Sequence, residues 1–265
     1  QLRPAFVQQR HNEKMNTENS FNKTENSSRM GRREWLGCVG AGVGLWASGM
    51  GQPALAAPPP GPAVRLDRQR LDALAETFFP LFNHGAVLPP FDPQRHGARH
   101  DVALRRLTTV TRVPETGERV KTTGLLAVPV GARGPIPVVS WQHGTILTFD
   151  QVPSNLVRLG DPTYQPSDER DSLETLFNLH RLAGQGFAVI AADYLGKGPL
   201  RRGRGEAYAV RDATVATCSD MLDAGLRALR PLGLSASALF LNGWSQGGLN
   251  TQWLHQALRR RGVAV

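Results

Sequence analysis

Leu239-Phe-Leu-Asn-Gly-Trp-Ser-Gln-Gly-Gly-Leu249 carries the strongest structural signal in the chain. A short apolar run ends in Gly-x-Ser-x-Gly and continues into a helix-compatible segment. That order is the sequence form of a nucleophile elbow, a sharp strand-to-helix turn with Ser245 at its apex. Such a turn strains the serine backbone, and it needs glycine at Gly243 and Gly247, where a Cβ would collide with the adjoining strand and helix.

Working outward from the elbow, strand-like and helix-like segments alternate. Leu104–Val113 and Val120–Val128 read as two strands, Gly131–Pro135 as a turn, and 136–142 as a compact β-rich run. Asp171–Gly184 has helical spacing and stops at a glycine. Phe187–Ala192 is a near-continuous apolar strand, as expected when both faces of a sheet are covered. Val210–Leu229 is helical again, with Ala213, Thr214, Thr217, Met221, Leu222 and Leu229 on one side and Pro231 just beyond. The strand Ala238–Gly243 and the helix Gln246–Arg260 close the series. Strand alternating with helix after an initial hairpin predicts an α/β domain with a mostly parallel sheet. Reactive residues then belong at the carboxyl ends of the strands.

Two such ends stand out, Trp141-Gln-His-Gly-Thr145 and Asp193-Tyr-Leu-Gly-Lys-Gly198. A serine that attacks an acyl carbon needs donors aimed at the developing oxyanion, each worth about 3 kcal/mol. One candidate is the backbone N–H of Gln246. The other lies in the loop after the third strand, at Thr145 or Gly144. His143 either contacts substrate or braces that loop. Tyr194 is placed beside the pocket, and Trp244 at its edge. Asp193 precedes the serine, and its carboxylate is expected to bond N–H groups of the surrounding loops.

Together these pieces resemble the α/β-hydrolase superfamily over about residues 100–260. Gln-His-Gly-Thr followed by Val152-Pro-Ser-Asn155 is similar to its secreted lipase and esterase branch. The resemblance implies a serine hydrolase acting on carboxylic esters, small molecules or lipids, through an acyl-enzyme on Ser245 and without a cofactor. Two alternatives stay open: a serine peptidase or amidase with the same machinery, and a hydrolase-fold protein that binds a ligand without catalysis.

The family's order is serine, then acid, then histidine. Twenty residues follow Ser245; none is acidic, and His255 lies ten positions along the next helix, about 15 Å away by helix rise. The expectation is therefore that the acid and the histidine lie in downstream sequence. The domain at 101–265 would be truncated, and this polypeptide alone nearly inactive.

The amino-terminal residues read differently. Residues 1–29 are rich in Asn, Glu, Lys and Ser and resemble disordered or upstream read-through sequence. Residues 30–56 carry Arg32-Arg33, an uncharged apolar run over 38–50 and Ala54-Leu-Ala56, the layout of a cleaved export signal of the twin-arginine type. The run is short of the roughly 20 residues a membrane span requires. A secreted or periplasmic protein that meets the export machinery is expected. Residues 57–100 read as a Pro-rich linker and an appendage, with Leu71–Leu81 as a helix packing on the domain.

Composition adds exclusions. Part of the net charge of +9 belongs to residues 1–56, which weakens any nucleic-acid role. Arg201-Arg-Gly-Arg204 reads as a solvated loop, or as a site for an acidic group. Cys218 is expected to be a buried small residue. His96 and His100 have helical spacing for a metal but no further ligand nearby, so no metal site is assigned. The loop from Ile146 to Arg170 is either a pocket wall or lid, or a solvated surface loop.

Overall fold

The hairpin at the start of the domain shows how the sequence builds the sheet. Strand β2 (Val102–Arg112) pairs antiparallel with β3 (Arg119–Pro129) in unbroken register from Val102↔Pro129 to Arg112↔Arg119. In the computed structural model the residues described are 61–82 and 90–265. The readings of residues 1–29 and 30–56 lie outside them.

Alternate side chains of a strand face opposite sides of the sheet, and both sides here are apolar. Leu126 of β3 and Ile190 of β5 (Ala188–Ala192) face one core with Met221, Leu222, Leu254 and Leu258. Their neighbours Leu125 and Val189 face the other core with Leu71, Trp141, Leu156, Leu176 and Leu179. The first core is covered by α4 (Arg211–Leu229) and α5 (Gln246–Arg260). The second is covered by α1 (Arg68–Phe82) and α3 (Leu173–Arg181). A short α2 (Pro93–His96) is capped by Asp92, whose side chain accepts from the Gln94 N–H.

Among the described residues the sheet has six strands in the order β1-β2-β3-β5-β4-β6. Strand β1 (Val64–Leu66) flanks β2; β4 is Gly134–Gln142 and β6 is Leu234–Gly243. The parallel arrangement read from the sequence holds for β5, β4 and β6, while β1, β2 and β3 form an antiparallel half. Leu71–Leu81 is helical, within α1, and Leu71 is buried in the second core. None of the described helices is long and apolar enough to cross a membrane.

Two strands start earlier than their apolar runs suggest. Strand β4 begins at Gly134, so Gly134 and Pro135, read from the sequence as part of a turn, take strand positions. Strand β6 begins at Leu234 because Leu234-Ser-Ala pairs with Gly134-Pro-Ile, with a register shift before Pro137. Three exposed residues at 235–237 hid that start. Helix α3 stops at Arg181 rather than Gly184, and a 3-10 turn carries the chain on to Gln185.

The loop from Ile146 to Arg170 is neither wholly lid nor wholly solvated. Pro153–Gly160 is a 3-10 segment pressed against the sheet, with Val152, Leu156 and Leu159 inaccessible to solvent. Arg106 of β2 holds it by donating to the Ser154 carbonyl at 3.2 Å and to Asn155 Oδ1 at 3.0 Å. Exposure lies on either side of it, over 147–150, which includes Leu147 and Phe149, and over 161–163 and 168–170.

Candidate active site

The elbow forms where β6 turns into α5. Ser245 is the N-cap of α5 with φ 54° and ψ −119°, a strained conformation for a residue with a side chain. The glycines that flank it are required by close approach. A Cβ on Gly247 would lie 1.9 Å from the Gln142 carbonyl oxygen, and one on Gly243 would lie 2.3 Å from that of Gly247. The turn is closed by Gly247 N–H donating to the Trp244 carbonyl at 2.7 Å. Ser245 is exposed, and Trp244 beside it is 48% exposed rather than packed away. Behind the turn, the Gln142 amide and the Thr251 hydroxyl lie 3.0 Å apart and tie β4 to α5.

The loop after β4 runs against this turn. A Cβ on Gly144 would lie 3.3 Å from the Trp244 carbonyl oxygen. Of the two N–H groups read as alternatives here, that of Gly144 is already engaged by the Glu174 carboxylate, at 3.0 and 3.3 Å. It is thereby removed as an oxyanion donor. Gly144 matters instead because a Cβ there would stand 2.6 Å from Glu174 Oε2. The N–H groups of Thr145 and Gln246 have no acceptor among the described residues. Gln246 also sits at the amino end of α5, where the helix dipole favours negative charge.

His143 and Tyr194 form one buried brace. The rings stack at 4.0 Å, the Tyr194 hydroxyl donates to the His143 carbonyl at 2.8 Å, and His143 Nδ1 lies 2.8 Å from the Gly144 carbonyl. A carbonyl only accepts, so Nδ1 carries the proton. Burial pushes the imidazole down to about 4, so it is neutral at physiological pH. His143 is inaccessible to solvent and Tyr194 is 4% exposed. Tyr194 therefore supports the loop from below and does not line an open pocket. Its φ of 68° is a second strained position.

Asp193 is wholly buried. It accepts from the Ser154 N–H at 2.9 Å and from the Thr123 hydroxyl at 2.5 Å. Burial raises its pKa, while those two hydrogen bonds oppose the rise. Its partners lie on β3 and the 3-10 segment, so it joins layers of the fold. Cys218 is buried on α4, and burial pushes its thiol up to about 12. His96 Nδ1 accepts from the Asp92 N–H, and His180 pairs with Asp72 at 2.9 Å. Among the described residues no cluster of His, Cys, Asp and Glu could hold a metal.

Sequence reasoning missed the charged residues around the site. Lys197 donates to the carbonyls of Ile146 and Thr148, both at 3.3 Å, and pairs with Glu206 at 3.0 Å. Glu206 in turn accepts from Gln246 Nε2 at 3.3 Å. The Thr145 and Tyr208 hydroxyls are 3.3 Å apart. Glu174 is largely buried, and its pKa is pushed up to about 7 by that burial, against the hydrogen bond from Gly144. One signal was available: Lys197 lies between two glycines immediately after an apolar strand, a poor place for a solvated lysine.

Comparison with solved structures fits this geometry. A putative hydrolase from Legionella pneumophila superposes with a TM-score of 0.57 at 21% identity, over 77% of this chain and 48% of that one. A ligand-bound form of the rice cell wall degrading esterase LipA from Xanthomonas oryzae gives 0.57 at 22% identity, over 76% and 46%. The chain has the α/β-hydrolase fold. It spans about half the length of the solved structures it matches. No protein-family model matches the sequence, and no curated protein matches it. Within the α/β-hydrolase fold, Ser245 occupies the strand-to-helix turn and Thr145 the loop after the neighbouring parallel strand.

Proposed function

We propose that these residues form part of a serine hydrolase that cleaves carboxylic esters, with Ser245 as nucleophile. The observation that carries this reading is the elbow: an exposed serine at φ 54° heading α5, beside two backbone N–H groups with no acceptor, those of Gln246 and Thr145. Ser245 Oγ bonds to the ester carbonyl carbon and gives up its proton to a general base. The carbonyl oxygen becomes an oxyanion held by the two N–H groups. Collapse expels the alcohol, which takes the proton, and leaves an acyl-enzyme. Water then attacks, the carboxylic acid departs and Ser245 regains its proton.

The base and the acid that orients it are proposed to come from outside the described residues. His96, His143 and His180 are committed to Asp92, Gly144 and Asp72, His100 lies beside Gly186 at the amino end of β5, and His255 lies ten residues along α5 from Ser245. The half of the matched structures that this chain does not span has room for both groups. On this reading the 265 residues alone hydrolyse esters very slowly. Export through the twin-arginine route belongs to the same proposal, supported by Arg32-Arg33 and Ala54-Leu-Ala56.

The test is a fluorophosphonate label and a p-nitrophenyl ester assay on the full-length protein and its Ser245→Ala variant. Labelling at Ser245 and a loss of at least 1,000-fold in kcat/KM on substitution are expected. An Ser245→Ala enzyme that keeps most of its activity, with an unchanged circular dichroism spectrum, would overturn the assignment.

A further inference from the structure

A second cleft lies where the loop after β5 folds over the start of β3. Its volume is about 370 Å³, within the size of a small-molecule site. The cleft is built from two chain segments clamped together. Arg204 of the loop donates to both carboxylate oxygens of Glu118 in the hairpin, at 2.7 and 2.6 Å. That bridge neutralises one arginine and one glutamate, and leaves the rest of the charge uncompensated.

The remaining charged groups are cations. Arg119 and Lys121 alternate along β3 and therefore project from one face. Arg201 and Arg202 come from the loop opposite. None of these four has a carboxylate partner among the described residues. The Arg201 guanidinium lies 3.8 Å over the Phe149 ring, which restrains its orientation before anything binds.

Four cations in one concavity repel each other and focus a positive potential there. Arginine forks suit the paired oxygens of carboxylates and phosphates. We propose that this cleft binds an anion with several oxygens, a phosphate- or carboxylate-bearing group. The cleft adjoins the candidate catalytic loop. Lys197 lines it and also holds the carbonyls of Ile146 and Thr148, and Phe149 under Arg201 belongs to the same stretch. The anion is therefore either the acidic end of an ester substrate or a free ligand beside it. The first source rests on the proposed ester chemistry; anion binding itself does not.

The experiment uses the full-length protein, its Ser245→Ala variant, an Arg119→Gln/Arg202→Gln variant and an exposed control, Arg230→Gln. Pyrophosphate binding is measured by calorimetry at low salt. Ester preference is measured as kcat/KM for mono-p-nitrophenyl glutarate against p-nitrophenyl butyrate. Saturable pyrophosphate binding is expected in the parent, Ser245→Ala and Arg230→Gln proteins, weakened at least tenfold in the double variant. A preference for the acidic ester that the double variant loses identifies the substrate as the source; pyrophosphate binding with no such preference identifies a free ligand. Binding without ester hydrolysis in the parent would overturn the ester reading and leave the cleft's role standing. Absence of binding, or equal binding by parent and double variant with matched thermal melts, would overturn the proposal. Lys121→Gln provides a second route if the double variant does not fold.

Discussion

Lys197 Nζ lies 3.0 Å from Glu206 Oε2, and the two side chains are 4% and 15% exposed. One partner holds the stretch after Thr145 through two carbonyls, and the other holds the Gln246 side chain. A single ion pair thus spans the two backbones that supply the candidate oxyanion donors. Removing one member leaves the other charge buried without compensation, which costs about 3–5 kcal/mol. Lys197→Met should lower stability by that order in chemical denaturation, and Lys197→Met/Glu206→Leu should recover at least half of the loss. A single variant within 1 kcal/mol of the parent would show that the pair is solvated and holds nothing.

Glu174 gives the protein a pH-dependent stability. Its carboxyl sits at about 7 in the folded state against a reference of 4.5 for the unfolded chain. Between those values the folded state binds more proton, so stability declines as pH rises. The contribution is full below pH 4.5 and lost as pH climbs through about 7, by roughly 3 kcal/mol at most. Glu174→Gln keeps an acceptor for the Gly144 N–H and removes the ionisation. Its melting temperature should exceed the parent's at pH 8 and match it at pH 5. Parallel melting curves for the two proteins across that interval would contradict the assignment.

The elbow glycines should respond unequally to alanine. At Gly247 the added carbon would sit 1.9 Å from a backbone oxygen, whereas at Gly248 the nearest atom is 3.7 Å away. Gly247→Ala should therefore fail to fold or lose several kcal/mol. Gly248→Ala, in the first turn of α5, should gain up to about 1 kcal/mol from helix propensity. Urea titration of both variants decides it, and comparable losses at the two positions would mean that the turn relaxes.

Asp193 invites confusion with a catalytic acid because it ends a strand. Its two oxygens are taken by Ser154 and Thr123, so its role is to join layers. Asp193→Asn in the full-length protein should lower the melting temperature. Activity per folded molecule should stay within about threefold, once labelled active sites are counted. A loss of 100-fold or more per labelled site would move Asp193 into the chemistry.

How much of this was legible in the sequence follows from what each residue reports locally. The elbow was legible because Gly243, Ser245 and Gly247 stand within five positions of one another, although the atoms that exclude a Cβ at Gly247 belong to Gln142 and His143. Strand β5 was legible because both of its faces are buried, so it reads as a continuous apolar run, whereas β3 was legible from the alternation that carries Thr122 and Thr123. The early start of β6 was not: Ser235 and Ala236 are strand only because they pair with Pro135 and Ile136, a hundred residues away. The same distance hid the carboxylate on Gly144, since Glu174 lies thirty residues on and looks like an ordinary first-turn helix acid. It hid the Lys197–Glu206 pair for a further reason: nothing in the sequence marks Glu206 as buried. Tyr194 was placed toward substrate because strand ends point there; its positive φ turns the ring under His143 instead.

The seating of Pro153–Gly160 has a consequence for what the site can accommodate. Gly160 lies against Val64 of β1, so close that a Cβ would stand 2.7 Å from a Val64 methyl, and Arg106 grips the segment's other end. The amide hydrogens of a segment anchored in that way should exchange more slowly than those of the hoop before it. On the proposed ester chemistry, adaptation to acyl groups of different shape falls first to the five residues from Ile146 to Asp150, a hoop tethered at one side by a lysine and at the other by the protein's interior. Selection for a new substrate would act first on the exposed side chains of that hoop, Leu147 and Phe149, because the segment that follows it is packed into the core.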